Sequence, residues 1–343
     1  MSDVGIGIVG SGFMGRTFSE TLTKCCSGVR ARAVTGGSRA EALAKDYGIA
    51  LEPSVASLVE RADVDAVFIA SPHHVHAEQA MAAAKAGKHI LVEKPMACSV
   101  SDCDAILDAC EKAGVYCSIS FSQRTRKCNI QGKALLDEGR IGRILQMQEF
   151  CLVPTGLAGL PTWQSDAANL GTLFGHAVHN FDRIRWFTGQ EIRTVYAKCG
   201  SIEPDVQVEG TSMVLMTLTD GTAVSLWSSF QVPKPSFPRA QFATWIIGER
   251  GLMDMDAYGE LRVSAAEGAW EVVETQAPID WAGKGFLDPV RLESYTLQCQ
   301  DFVDAVANRR PPKVTGWDGR QAVAAALAAY ESSETGKEVV LSS

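Results

Sequence analysis

The chain has 343 residues, 46% of them hydrophobic and 21% charged, with a formal net charge of -8. That composition excludes a disordered or collagen-like chain and leaves room for two domains, each with its own core. The acidic balance argues against nucleic acid or an anionic membrane as main partner, and no apolar run reaches the length of a membrane-spanning helix.

The opening Met1-Ser2-Asp3-Val4 has no basic segment ahead of its apolar stretch, so no secretory signal is predicted and the expected location is cytoplasmic. Ile6 to Val9 is a short run of β-formers that leads into Gly10-Ser11-Gly12-Phe13-Met14-Gly15, and a helical pattern follows. This is the strand–turn–helix setting in which a Gly-x-Gly-x-x-Gly motif binds a dinucleotide. Gly10 permits the tight turn, Gly12 lets a pyrophosphate approach, and Gly15 lets helix and strand pack closely. Free N–H groups at the helix start would hold the phosphates.

The second strand is Val29 to Thr35, ended by Gly36 and Gly37, with a helix from Ser38-Arg39 through Tyr47. An Asp or Glu after this strand would bind the 2′-hydroxyl of NAD. The chain offers Thr35, Ser38 and Arg39 instead, a set that suits a 2′-phosphate, so NADP(H) is expected ahead of NAD(H). Helix Ser54 to Arg61, strand Ala66 to Ala70, helix His76 to Ala86, strand His89 to Val92, helix Asp102 to Ala113 and strand Val115 to Ile119 continue the alternation. That spacing predicts a doubly wound parallel sheet, a Rossmann domain over residues 1–122. Its ligand belongs outside the carboxyl ends of the strands. Besides the glycine turn, two such ends are chemically loaded: Ser71-Pro72-His73-His74 with His76 beyond, and Glu93-Lys94-Pro95.

After residue 122 the texture changes. Ile130 to Glu138 reads as helix, Ile144 to Val153 as a long strand, Leu157 to Ala168 as loop, and Gly175 to Phe187 as a helix with two histidines. From Thr194 to Val273 repeated β segments dominate, with Asp220-Gly221 as a hairpin signal. The expectation is an α/β domain over 123–343, built on a large, mostly antiparallel sheet with one open face, and closed by helices Glu293 to Asn308 and Arg320 to Ser332. The Pro-rich loop Gln231 to Arg239 suits either ligand binding or a dimer contact.

Lys94 follows a buried strand and precedes a proline that restricts its backbone. A lysine at that strand end would give a proton or hydrogen bond to a hydroxyl or carbonyl oxygen during hydride transfer. His179 is the second candidate: His176, His179 and Asp182 are spaced by three along one helical face, and Asp182 is placed to orient His179. A zinc pair of His176 and His179 would need a third ligand that the pattern does not supply. The ten cysteines, spread from Cys25 to Cys299 without a Cys-x-x-Cys pair, read as reduced thiols filling core space, and no metal is expected. Arg124 suits a carboxylate or hydroxyl of the substrate, with Gln123, Arg126 and Lys127 close by and the choice among the cations open. Trp163 and Gln164 precede the histidine helix and are candidates for the substrate face, Trp163 equally for the core.

These motifs resemble the glucose–fructose oxidoreductase, inositol dehydrogenase and rhizopine-catabolism (Gfo/Idh/MocA) superfamily of NAD(P)-dependent oxidoreductases. The resemblance spans nearly the whole chain and rests on Gly10 to Gly15, Ser71-Pro72-His73-His74-Val75-His76, Gly87-Lys88-His89-Ile90-Leu91-Val92-Glu93-Lys94-Pro95 and the ending Gly336-Lys337-Glu338-Val339-Val340. It implies a Rossmann domain followed by an open-sheet α/β domain, a catalytic role for Lys94, and a homodimer or homotetramer joined through the open face. One departure matters. Where the family often carries Asp-x-Gly-x-His-x-x-Asp, this chain has Gly175-His176-Ala177-Val178-His179-Asn180-Phe181-Asp182. The first acid is replaced by Gly175, which points away from a standard inositol or glucose substrate and gives His176 part of that role. The expected activity is an NADP-linked dehydrogenation of a cyclic hydroxyl compound: a sugar, a dihydrodiol or the lactol form of a semialdehyde. The nicotinamide is expected between Lys94 and His179. The rival readings are a redox-assisted lyase or hydrolase that retains its nucleotide, and a non-enzymatic NADP(H) sensor.

Overall fold

The structure is a computed structural model that describes residues 3–154, 156–157, 169, 171–202, 208–265 and 267–341. In chain order the elements are β1 (Val4–Val9), α1 (Phe13–Lys24), β2 (Val29–Thr35), α2 (Ala40–Tyr47), β3 (Ala50–Leu51), α3 (Val55–Glu60), β4 (Ala66–Ile69), α4 (His76–Lys85), β5 (His89–Val92), α5 (Val100–Ala113) and β6 (Cys117–Ile119). They continue with α6 (Lys127–Asp137), β7 (Ile144–Leu152), α7 (Val178–Thr188), β8 (Ile192–Gly200), β9 (Thr211–Leu218), β10 (Ala223–Ser229), β11 (Gln241–Gly248), β12 (Gly251–Asp256), β13 (Glu260–Ala265) and β14 (Trp270–Thr275). The last are α8 (Pro289–Ala307), α9 (Gly316–Thr335) and β15 (Val339–Val340). The chain forms two compact units, Met1–Ser122 with Ile279–Arg320, and Gln123–Pro278 with Gln321–Ser343.

The first unit holds a six-stranded parallel sheet in the order β3-β2-β1-β4-β5-β6. Every residue of β1 and β4 is buried, as strands covered by helices on both faces require. The order reverses beside β1, where α/β sheets open a crevice for a ligand. Two differences from the sequence reading stand out. The edge strand β3 went unread, because two residues carry no periodic signal. The segment 279–320, read as part of a 123–343 domain, goes with the first unit. The reason is packing: Tyr295, Cys299, Phe302 and Val303 of α8 share a core with Ile6, Phe18, Phe68 and Leu91. Phe68 meets Phe302 edge-on at 5.5 Å and Phe18 at 5.2 Å.

The second unit is a nine-stranded sheet in the order β14-β13-β12-β11-β7-β10-β9-β8-β15. It is antiparallel except where β10 runs parallel to β7. Residues of β9 alternate, with Val214, Met216 and Leu218 buried and Met213 and Leu215 exposed. The outer face is unusual in being apolar: Met213 is 57% exposed and Trp245 54%, and Leu215, Ile247, Leu252 and Trp270 stand out with them. None of the ten cysteines is in a disulfide. Among the described residues no helix is long and apolar enough to cross a membrane.

Candidate active site

The glycine turn between β1 and α1 is built for close approach. Gly10 has φ +107°, and a Cβ there would lie 2.5 Å from the Ala70 carbonyl oxygen. A Cβ at Gly15 would overlap the carbonyl oxygen of Gly10. At Gly12 the nearest atom to such a Cβ is Nη2 of Arg39, 3.9 Å away, so the backbone stays open on that side. Gly12 caps α1 without a side-chain hydrogen bond, which leaves the first-turn N–H groups for an anion. Open backbone and an uncapped helix start fit the diphosphate of a dinucleotide, with the Arg39 guanidinium at the side of the turn.

The second strand's end supports the same turn. Gly36 and Gly37 have φ +79° and +81°. They bring the backbone N–H of Arg39 onto the hydroxyl of buried Ser11, which accepts it at 3.2 Å. Phe13 and Met14, expected at the cofactor, also serve the fold. The Phe13 and Phe286 rings are 3.6 Å apart, and the guanidinium of Arg291 lies 4.7 Å from Phe13. Arg291 donates from Nη1 to the Phe286 carbonyl at 2.6 Å and to Thr17 Oγ1 at 3.2 Å. This buried arginine of α8 was invisible to the sequence reading, since nothing local ties it to a turn some 275 residues away.

The ends of β4 and β5 are joined by one side chain. His76 is buried, with Nδ1 2.9 Å from the Pro95 carbonyl oxygen and Nε2 2.8 Å from the Ser71 carbonyl oxygen. A neutral imidazole donates only one of these bonds. Burial pushes the ring's pKa down, and the two carbonyls push it back up. Both nitrogens thus lie against carbonyl oxygens of the protein, and His76, expected at the cofactor, links the loops that carry Ser71 and Lys94. His73 is buried with its ring 5.8 Å from that of His76. Glu93 is buried too, and burial raises its carboxyl pKa while the Lys94 charge opposes the rise. Its Oε2 accepts from the Lys94 N–H at 3.2 Å, and the Lys94–Pro95 peptide is cis.

In the second unit a π-helical turn, Leu173–Ala177, leads into α7. His179 is 6% exposed and meets Phe242 edge-on at 5.7 Å, while the His176 ring lies 4.4 Å from that of Phe230. Asp182, read as the partner of His179, is in a bidentate pair with Arg124: Nε donates to Oδ2 at 2.8 Å and Nη2 to Oδ1 at 2.5 Å. Two nitrogens of the fork that was expected to meet a carboxylate or hydroxyl of the substrate thus donate to a carboxylate of the protein itself.

Two buried acids that the sequence reading passed over hold α7 in place. Glu149 on β7 accepts from Asn180 Nδ2 at 2.6 Å and from Thr244 Oγ1 at 2.6 Å, with Arg183 Nη2 3.6 Å away. Burial raises its carboxyl pKa against the pull of Arg183. An acid at an inward position of an apolar strand was the signal available. Glu209 accepts from the N–H of Leu173, from Thr172 Oγ1 at 3.1 Å and from Tyr330 Oη at 3.2 Å, and burial pushes its carboxyl up to about 7. Trp163 and Gln164 lie outside the described residues. Among the described residues no group of three or more His, Cys, Asp or Glu is arranged to hold a metal ion.

Comparison with known proteins places both units. Residues 4–121 match the model of an oxidoreductase family described as an NAD-binding Rossmann fold, and residues 130–254 match a GFO/IDH/MocA C-terminal domain. The chain is 30% identical to an inositol 2-dehydrogenase of Saccharopolyspora erythraea over 341 residues, covering 96% of this chain and 93% of that one. It is 28% identical to a 1,5-anhydro-D-fructose reductase of Ensifer adhaerens over 338 residues, covering 96% of each. In fold it resembles an Agrobacterium radiobacter oxidoreductase solved with NAD+, L-tartaric acid and magnesium, with a TM-score of 0.89, 21% identity and coverage of 99% and 98%.

Proposed function

Because the chain belongs to the GFO/IDH/MocA family of NAD(P)-binding oxidoreductases, enzymes that act on CH–OH groups, we propose that it is an NADP-linked dehydrogenase of a cyclic hydroxyl compound. A sugar, a dihydrodiol or the lactol form of a semialdehyde is the substrate class. The nicotinamide, when bound, supplies the hydride acceptor or donor. The observation that carries the reading is the His76 clamp, which holds Lys94 at the carboxyl edge of the parallel sheet. Lys94 and His179 are the proton-transfer groups, and Asp182 with Arg124 keeps α7, and so His179, in register.

The preference for NADP(H) is supported by the missing acid after β2 and by Arg39 beside Gly12. One assay tests substrate class and nucleotide together: reduced-nicotinamide absorbance across sugars, dihydrodiols and lactols, with NADP+ and with NAD+. Net reduction favouring NADP+ is expected, and Arg39→Ala should raise the KM for NADP+ about tenfold or more and leave that for NAD+ unchanged. A preference for NAD+ indifferent to Arg39→Ala overturns the nucleotide assignment. Substrate consumed without net nucleotide change points to a redox-assisted lyase. Nucleotide binding without turnover, unaltered by Lys94→Ala, points to a sensor.

The apolar outer face of the second sheet is the proposed contact for a homodimer or homotetramer. A groove of about 740 Å³ lies there, lined by Trp227, Trp245, Trp270, Met213 and Leu252 among others. A monomer would leave this patch in water, which soluble monomers avoid. Light scattering is expected to return a multiple of the chain mass, reduced by Trp245→Arg. A wild-type monomer at micromolar concentration would remove this contact.

A further inference from the structure

Two arginines stand two residues apart at the start of the second unit, and they are not equivalent. Arg124 is neutralised by Asp182. Arg126 is 2% exposed, yet its Nε and Nη1 are buried without a hydrogen-bond partner, and among the described residues it makes no ion pair. An uncompensated buried cation is costly, and a group of this kind in a folded protein calls for an explanation, a bound ion among them. Among the described residues it stacks on one ring: the guanidinium carbon lies 4.8 Å from the centroid of the Tyr258 ring. Tyr258 is itself fixed, its hydroxyl accepting from Gln123 Nε2 at 3.1 Å and its N–H donating to Asp256 Oδ1 at 2.9 Å.

Three further observations give the site its chemistry. Gln276 has a buried amide nitrogen, Nε2, with no partner, and its backbone N–H donates to Gly259, the residue after Tyr258, at 2.7 Å. Arg126 is also the N-cap of the eleven-residue helix α6, whose start has no side-chain cap. A continuous run of rings joins the site to the histidine helix: Tyr258 to Phe242 at 6.2 Å, and Phe242 to His179 at 5.7 Å. Donors without acceptors, a rigid planar fork and a helix start all suit oxygens carrying negative charge.

We propose that Arg126, stacked on Tyr258, binds an anionic group of the substrate, a carboxylate or a phosphate, on the wall of the second unit that also carries His179. The substrate is then an acidic hydroxyl compound rather than a neutral polyol. This rests on the dehydrogenase reading only in calling the bound molecule a substrate. The guanidinium fork holds the anionic end and so fixes which hydroxyl is presented for oxidation.

The test uses the nucleotide-loaded enzyme and three probes of one ring type: D-glucose, D-glucuronate and D-glucose 6-phosphate. Calorimetric binding is measured first, turnover second. The wild type should bind at least one anion about tenfold or more tighter than glucose, and the two anions separate carboxylate from phosphate. Arg126→Met should remove about tenfold to a hundredfold of that affinity and leave glucose binding unchanged. Arg126→Lys, which keeps the charge and loses the fork, should retain part of it. Wild-type enzyme that binds glucose as well as both anions overturns the site, and so does an Arg126→Met variant that weakens all three alike. The wild-type comparison decides even if the variants do not fold. Anion-selective binding without hydride transfer to any probe would remove the dehydrogenase reading and leave the anion site standing.

Discussion

Lys94→Ala is expected to lower kcat by about two to four decades while nucleotide affinity stays within about threefold. The side chain stands on the loop after β5, apart in sequence from the glycine turn, so on the proposed roles its loss would remove a proton route and leave the phosphate contacts intact. The loop itself stays in place, because His76 holds the adjoining Pro95 carbonyl. His179→Ala should cost a similar factor, since imidazole is the side chain best matched to proton movement near neutral pH. Steady-state kinetics beside nucleotide fluorescence titration separates the two quantities. A loss below tenfold in both variants would end the proposed assignment of roles. A parallel loss of nucleotide affinity would mean that Lys94 binds rather than transfers.

Asp182→Ala should destabilise the second unit by about 3–5 kcal/mol, the cost of leaving a desolvated charge without its partner. Asp182 is fully buried and Arg124 is 9% exposed, so water cannot replace the lost carboxylate without rearrangement. The charge stranded is Arg124, whose Nε and Nη2 both donate to Asp182. Urea unfolding followed by tryptophan fluorescence reads the shift. The double variant Arg124→Met with Asp182→Leu should recover most of it, since a buried ion pair replaced by apolar groups of similar size is close to neutral. A single-variant loss below about 1 kcal/mol would mean that the pair is solvated and not part of the unit's frame. The same substitution should lower kcat through α7, because Asp182 and His179 lie on one helix.

The two variants draw on different parts of the chain's legibility. Lys94 could be proposed from sequence because each clue is local: an apolar strand, a charged pair and a proline follow one another over the seven residues from His89. The Rossmann alternation was readable for the same reason. A buried parallel strand needs continuous β-formers, and a close helix–strand turn needs glycine. The alternating strands of the second sheet were likewise readable through their period of two.

Asp182 shows the other side. Spacing along α7 points it to His179, three residues earlier, and the bidentate pair with Arg124, 58 residues away, shows only in the fold. A helical period describes neighbours on one cylinder and says nothing of what a distant segment lays against it. For the same reason α8 could be read as a helix but not assigned to the first unit, since its apolar face fits any core of matching shape. What the amino-acid sequence determined by itself was the type of the longer elements, the dinucleotide turn and the strand end that carries Lys94, because short-range hydrogen bonding and sterics set these. What only the tertiary structure decided was which buried charges are compensated: Arg124 by Asp182, Arg183 by Glu149, and Arg126 by no carboxylate among the described residues. Compensation requires two groups to be desolvated together, and that is a property of the folded chain.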